Sequence, residues 1–427
     1  MNNLFDIKGN VTVITGGTGV LGRAIAKYLA LNGAKVVILG RKEEVGNQIA
    51  ADIRAEGAWD KCKGHPDIIV AVLDEGVDVT HPDLKDNMWV NEGEVFGSID
   101  DADGNGYAGD RHGYNFVKQT GKITVNSRYD TGHGSHVAGA VAARNNNGIG
   151  IKSIAGGDGS ADSGVRIMSC QIFAGEYVGT LLDEVRAIKY AADNGAVILQ
   201  CSWGYTSGTA NPYDWGQQFA TDEEWELYNP LEKQALEYFV GTAGSASGVI
   251  EGGIAVFAGG NESAPSAGYP GAYGKFVSVA GIAGDFTPAI YSNYGLGINI
   301  SAPGGDQDYY FEYADEDHWV GELGCVLSTV PFNVSESGYA YMEGTSMACP
   351  HVSGVAALGL SYAAKLRRHF TAKEFIALMY ETATPIDQYM TGIKQYKRYV
   401  ADLLDSAPMQ SMDMKDFKGG MGHGQIN

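Results

Sequence analysis

Apolar runs recur along most of the chain and are separated by stretches with helical spacing of apolar residues. Five runs predict strands, at residues 68–73, 165–172, 196–200, 254–258 and 276–280. Three stretches predict helices, at residues 134–143, 179–194 and 231–240. Nearly continuous apolar strands that alternate with helices are typical of a parallel sheet covered on both faces. The pattern therefore predicts an α/β fold with a central, mostly parallel sheet.

The first 57 residues have a pattern of their own. An apolar strand at residues 11–14 leads into a glycine-rich turn, a helical stretch and a second apolar strand at residues 34–39. Backbone N–H groups at such a turn can hold a pyrophosphate at the helix N-terminus. The turn contains Gly16, Gly19 and Gly22, and the segment resembles the start of the short-chain dehydrogenase/reductase family. That resemblance implies NAD(P) as a ligand of these glycines.

The resemblance to a dehydrogenase ends near residue 57. A dinucleotide-binding domain needs two mononucleotide-binding halves, and this segment is about one half of one. We therefore predict a partial Rossmann-like β-α-β fragment at residues 1–57, without NAD(P) binding, and a separate domain at residues 58–427.

Charge and cysteine content narrow the classes of function. The formal net charge of −21 argues against binding to nucleic acid or to anionic membranes, because phosphates would be repelled. The five cysteines form no CxxC pair, and their odd, sparse count predicts free thiols rather than a disulfide framework. No apolar run reaches the length of a membrane span.

Three strings in the second part contain residues suited to nucleophilic catalysis. Asp74 ends the apolar run of residues 68–74, and sites in α/β proteins form at the carboxyl ends of strands. His133 lies in DTGHGSHVAG at residues 130–139. Ser346 lies in GTSMACPHVSG at residues 344–354, where a helix N-terminus favours negative charge developing beside the serine. Each residue alone would more often be structural, but the second and third strings are long and unusual.

These strings, in this order, resemble the subtilisin-like (subtilase) serine peptidases, whose triad runs Asp, His, Ser along the chain. Two further strings resemble the same family. Ser202, Trp203 and Gly204 match the segment whose backbone pairs with substrate, and residues 256–261 match the strand that ends in the oxyanion-binding asparagine, here Asn261. The resemblance covers most of residues 64–427 and implies the three-layer subtilisin-like fold and serine endopeptidase activity on proteins or peptides.

The resemblance also implies a role for each matching residue. Ser346 is the expected nucleophile, His133 the general base and Asp74 the residue that orients the imidazole. The Asn261 amide and the Ser346 backbone N–H are the expected oxyanion donors. Glu75 departs from the family, which usually has serine or threonine there, and its charge is expected to raise the pKa of His133.

Residues 100–110 form an oxygen-rich, glycine-punctuated segment. Asp101, Asp103 and Asn105 alternate as in a calcium-binding loop, and Asp110 can supply a further oxygen. Structural calcium is common in subtilases, and Asp83 and Asn147 match a second site of the family. The sequence therefore predicts structural calcium at these six residues, against the simpler interpretation of an acidic surface turn.

Two other functions stay open at this point. The chain could be an inactive subtilase fold that binds peptides without turnover, or an NAD(P)-dependent oxidoreductase fragment. The family resemblance further implies secretion or the cell surface, although the N-terminus has no signal-peptide pattern. We expect a monomer.

Overall fold

The computed structural model describes residues 11–15, 25–26, 28–30, 34–39, 57–160, 162–175, 177–214, 216–308, 324–397 and 409–427. The chain divides into two compact units, one up to Cys62 and one from Lys63. All five cysteines are free thiols, and four of them are buried, as expected from their spacing.

The first unit contains two parallel strands. β1 (Val11–Thr15) pairs with β2 (Lys35–Leu39), with Val11 opposite Lys35. Parallel strands this close in sequence require a crossover connection, so the pairing confirms the partial Rossmann-like fragment. The predicted nucleotide-binding glycines, Gly16, Gly19 and Gly22, lie outside the described residues.

The second unit contains the larger sheet and the helices. Its strands are β3 (Ile69–Asp74), β4 (Gly113–Asn115), β5 (Arg166–Gln171), β6 (Phe173–Ala174), β7 (Tyr177–Val178), β8 (Ala196–Cys201), β9 (Thr206–Ser207), β10 (Gln218–Phe219), β11 (Ile250–Glu251), β12 (Ile254–Ala258), β13 (Val277–Ile282), β14 (Ile300–Pro303), β15 (Val326–Thr329), β16 (Tyr339–Met342), β17 (Phe370–Thr371), β18 (Ile393–Lys397) and β19 (Met409–Asp413). Its helices are α1 (His133–Ala142), α2 (Leu181–Asp193), α3 (Asp222–Tyr228), α4 (Pro230–Thr242), α5 (Thr345–Lys365) and α6 (Ala372–Thr382). Short 3-10 turns lie at Lys85–Asn87, Asp387–Tyr389 and Met414–Phe417.

Seven strands form the central sheet in the order β14-β13-β12-β8-β3-β5-β4. Every neighbouring pair in it is parallel. α1 packs on α5, and α2 packs on α4, each pair against the sheet. The predicted α/β fold with a subtilisin-like three-layer arrangement is thereby confirmed.

Burial explains why the central strands were recognisable in the sequence. β8, β12 and β13 are buried along their whole length, as expected for strands covered on both faces. The five predicted strands are confirmed, with boundaries that differ by at most two residues. The edge strands β4 and β14 were not predicted, because three or four residues are too few to form a distinct apolar run.

Two glutamates meet in the interior between α2 and α4. Burial raises the pKa of both Glu184 and Glu232, and Glu232 raises that of Glu184 further by charge repulsion. The Glu232 carboxylate accepts hydrogen bonds from Trp225 Nε1 at 2.9 Å and from the Tyr205 hydroxyl at 3.3 Å. With two donors already on Glu232, Glu184 is the member of the pair that retains a proton.

We expect Glu184→Gln to make stability less dependent on pH. The folded state holds the proton of Glu184 above the pH at which the unfolded chain releases it, so the free energy of unfolding falls as pH rises past about 4.5. Glutamine keeps an N–H donor for Glu232 at every pH. At pH 9 the variant should melt about 2–6 °C above the parent, and at pH 5 the difference should vanish, as scanning calorimetry can show. A parallel pH dependence for parent and variant would contradict this assignment.

Candidate active site

The carboxyl ends of neighbouring parallel strands bring the candidate residues to one edge of the sheet. Asp74 is the last residue of β3, and Ser202 directly follows β8. Asn261 lies three residues beyond β12, the next strand in the sheet. His133 is the first residue of α1, and Ser346 is the second residue of α5. Strand ends and helix N-termini therefore converge where α/β folds commonly place their sites.

Asp74 and His133 are joined by a short hydrogen bond. His133 Nδ1 lies 2.7 Å from Asp74 Oδ1 and 3.0 Å from Oδ2. Asp74 is buried, and its Oδ1 also accepts the backbone N–H of Glu75 at 2.7 Å. Since Nδ1 is the donor, the other ring nitrogen of a neutral imidazole, Nε2, carries the lone pair.

Opposing influences act on the protonation of His133. Burial lowers its pKa, while the charge and hydrogen bond of Asp74 and the charge of Glu75 raise it, and the net pKa lies above 6.5. The contribution of Glu75 has the direction expected from the sequence. A histidine with a raised pKa is a stronger base once it is deprotonated.

Ser346 and Ser202 are linked in both directions. The Ser346 hydroxyl donates to the Ser202 carbonyl oxygen at 3.1 Å, and the Ser202 hydroxyl donates to the Ser346 carbonyl oxygen at 2.7 Å. The N-terminus of α5 is thus tied to the end of β8. The sequence indicated Ser202 through its backbone alone, so this side-chain link was not foreseen.

Thr345 fixes the orientation of the Asn261 amide. Asn261 Oδ1 accepts from the Thr345 backbone N–H and from its hydroxyl, both at 2.9 Å. A Cβ added to Gly344 would lie 3.6 Å from the Ser346 backbone nitrogen and 3.7 Å from Asn261 Nδ2. Both nitrogen donors therefore border the same small space beside Gly344, which a side chain at that position would fill.

Other reactive side chains near the site are held in structural roles. His136 donates to the carbonyl oxygens of Val326 and Ala340, and burial lowers its pKa to about 3. Cys349 donates to Gln200 Oε1, and burial raises the pKa of its thiol to about 12. Neither group can serve as a base or a thiolate near neutral pH.

The segment after β8 packs tightly against a neighbouring loop. A Cβ on Gly204 would lie 2.9 Å from the Tyr269 carbonyl oxygen, and the Tyr205 N–H donates to that same oxygen at 2.6 Å. The Trp203 ring stands edge-on to Phe257, with centroids 5.5 Å apart. These contacts hold the backbone of residues 202–204 beside Ser346.

Two of the predicted calcium ligands lie together with a residue that the sequence did not indicate. Glu94, Asp101 and Asp103 each present a carboxylate oxygen, and these oxygens lie within 4.8 Å of one another. Asn105 and Asp110 are instead joined by a side-chain hydrogen bond of 3.0 Å. Glu94 is nearly buried and could be associated with this loop only through tertiary contact.

The second predicted calcium pair forms a hydrogen bond. Asn147 Nδ2 donates to Asp83 Oδ1 at 2.6 Å, and Asp83 Oδ2 accepts from the Ile151 N–H and the Tyr339 hydroxyl. The amide thus turns a donor toward the carboxylate. This arrangement does not fit two oxygen ligands of one cation.

Among the residues that the structure describes, no helix has the length and apolar character required to cross a membrane.

Comparison with known families divides the chain as the sequence pattern does. The profile of the subtilase family matches residues 65–422, and that of the short chain dehydrogenases matches residues 10–64. The chain is 31% identical over 305 residues to a thermophilic serine proteinase of Bacillus sp., covering 70% of this chain and 54% of the relative. It is 29% identical over 306 residues to thermitase of Thermoactinomyces vulgaris, covering 72% and 79%. The chain spans about half the length of the first curated relatives it matches.

Solved structures show the same fold. Proteases from Pseudoalteromonas arctica share 26% identity with a TM-score of 0.52, covering 77% of this chain and 86% of theirs. The prenylagaramide maturation protease PagA shares 20% identity with a TM-score of 0.54, covering 87% and 95%.

Proposed function

Because the chain belongs to the subtilase family, we propose that it is a serine endopeptidase that uses Asp74, His133 and Ser346 as its catalytic triad. The observation that carries this proposal is the short Asp74–His133 hydrogen bond at the edge where Ser346 begins a helix. Relatives named serine proteinase and thermitase support the class of reaction. The substrates are proteins or peptides.

The hydrogen bond to Asp74 defines the proton transfers. It keeps the proton on His133 Nδ1, so Nε2 can accept the proton of the Ser346 hydroxyl as the oxygen attacks the carbonyl carbon. For the attack, that hydroxyl leaves the Ser202 carbonyl oxygen to which it donates in the resting structure. The imidazolium then protonates the leaving amine, and water hydrolyses the acyl-enzyme.

The tetrahedral oxyanion is stabilised by the two nitrogen donors beside Gly344. Asn261 Nδ2 and the Ser346 backbone N–H face the same space, and Thr345 holds the asparagine in this orientation before substrate arrives. Donors positioned in advance stabilise a developing charge without reorganisation. Residues 202–204 present the backbone along which the substrate pairs as an added strand.

The test is hydrolysis of an unfolded protein by the purified chain. We expect new N-termini within the substrate and inhibition by an organophosphorus reagent that reacts with activated serines. Binding of the protein without any cleavage would instead favour the inactive peptide-binding fold.

We further propose that Glu94, Asp101 and Asp103 hold a structural calcium ion. The family generally binds calcium. The three carboxylates are hard oxygen donors, and their spacing matches ligands that share one cation. Bound calcium would neutralise like charges and fix the loop at residues 91–110.

Calcium alone is expected to raise the melting temperature. At a concentration 100 times the dissociation constant, binding to the folded state adds about 2.7 kcal/mol. The Asp101→Asn/Asp103→Asn double variant should lose this gain. Asp158→Asn, which changes an acidic residue in another turn, should retain it. Equal gains in the double variant and the control would contradict the site.

A further inference from the structure

Glu75 places its carboxylate at the N-terminus of the helix that carries His133. Glu75 Oε2 accepts the backbone N–H groups of Thr131, Gly132 and His133 at 3.1, 3.0 and 3.1 Å. The Thr131 hydroxyl donates to Oε1 at 3.1 Å. The N-cap residue of α1, Gly132, has no side chain with which to cap the helix. Glu75 therefore supplies from another part of the chain the acceptor that a local cap would provide.

The helix is also seated directly on the backbone of Glu75. A Cβ on Gly134 would lie 2.2 Å from the Glu75 carbonyl oxygen, so the two backbones are in contact. The Ser135 hydroxyl accepts the Asp78 N–H at 2.9 Å. These contacts fix where α1 begins relative to the end of β3.

Adjacent residues thus hold His133 at both ends. Asp74 binds the imidazole at Nδ1, and Glu75 binds the backbone N–H of the same histidine. The Glu75 N–H in turn donates to Asp74 Oδ1. A displacement of α1 along its axis would move the imidazole away from both Asp74 and Ser346, and small misplacements of catalytic groups have large effects on rate.

We propose that Glu75 is a positioning residue, which sets the location of His133 by anchoring the N-terminus of α1 to the end of β3. This inference rests on the proposed peptidase function. A carboxylate is suited to the role because it can accept several N–H groups at once and complements the positive end of the helix dipole.

The test compares Glu75→Ala and Glu75→Gln with a matched control, Glu374→Ala. Glu374 accepts the N–H and hydroxyl of Thr371 at the start of α6, a helix without a catalytic residue. With kcat measured per titrated active site, Glu75→Ala should lose about 10–100-fold with little change in KM. Glu75→Gln keeps one acceptor oxygen and should lose less, and Glu374→Ala should keep the parent kcat.

The pH profile separates positioning from a merely structural role. The charged groups facing Glu75 are Asp74 at the same strand end and His133 on α1. Removing the Glu75 charge lowers the pKa of His133, so the acidic limb of kcat/KM should move to lower pH in both Glu75 variants. Parent values of kcat and an unmoved limb in Glu75→Ala, with lowered melting temperature alone, would overturn the proposal.

A readout without turnover keeps the two proposals distinct. In a Ser346→Ala background, the proton on His133 Nδ1 can be followed by NMR. Glu75 as a positioning residue predicts loss or broadening of this resonance in Glu75→Ala and its retention in Glu374→Ala. An identical resonance in both would overturn the role of Glu75, whereas an inactive parent with the expected NMR result would overturn only the peptidase function.

Discussion

Replacement of Ser346 by alanine is expected to lower kcat for peptide hydrolysis by roughly 10⁴–10⁶-fold. The hydroxyl is the proposed nucleophile, and Cys349, one helical turn away, cannot replace it because its buried thiol has a pKa of about 12. The remaining activity comes from the oxyanion donors acting on water. Initial rates with a chromogenic peptide measure the loss.

Two comparisons make this result specific to the proposed triad. His133→Ala should cause a similar loss, and the double variant should be little worse than either single one, because residues that act as a unit are not additive. Ser361→Ala, a buried serine further along α5 whose hydroxyl donates to the Ala357 carbonyl, should keep kcat. Additive losses in the double variant would contradict a shared catalytic step.

The second large effect is expected at Asn261. Asn261→Leu should lower kcat by about 10²–10³-fold with KM nearly unchanged, because the amide donor acts on charge that develops only in the transition state. Separate determination of kcat and KM checks this expectation.

Asn261→Asp provides the matched comparison for Asn261→Leu. Aspartate keeps an oxygen for the two Thr345 donors but places a second oxygen where Nδ2 lies. Loss of the N–H donor alone should therefore reproduce the fall in kcat without loss of the Thr345 contacts. Activity near the parent level in either variant would contradict the role of Asn261 in the oxyanion site.

The sequence predicted those parts of the fold and site that lie within continuous segments. Buried strands such as β12 appear as unbroken apolar runs, and Asp74, His133 and Ser346 lie in long, unusual strings. Such segments encode the local geometry of a strand end or a helix start, so one sequence is enough to recognise them.

Contacts between distant segments could not be predicted in the same way. Glu94 joins Asp101 and Asp103 only after the loop folds back, and Glu184 meets Glu232 only when α2 packs on α4. Glu75 was recognisable as a departure from the family and as a charge near His133. Its hydrogen bonds to the start of α1 depend on how that helix seats against β3, which no local pattern reveals.

The measurement that tests the proposed triad most directly is labelling with a fluorophosphonate, followed by peptide mapping by mass spectrometry. A single adduct on Ser346 in the folded parent, with labelling strongly slowed in His133→Ala, is the expected result. A folded parent without an adduct on Ser346, or one labelled no faster than His133→Ala, would contradict the assignment of Asp74, His133 and Ser346 as a catalytic unit.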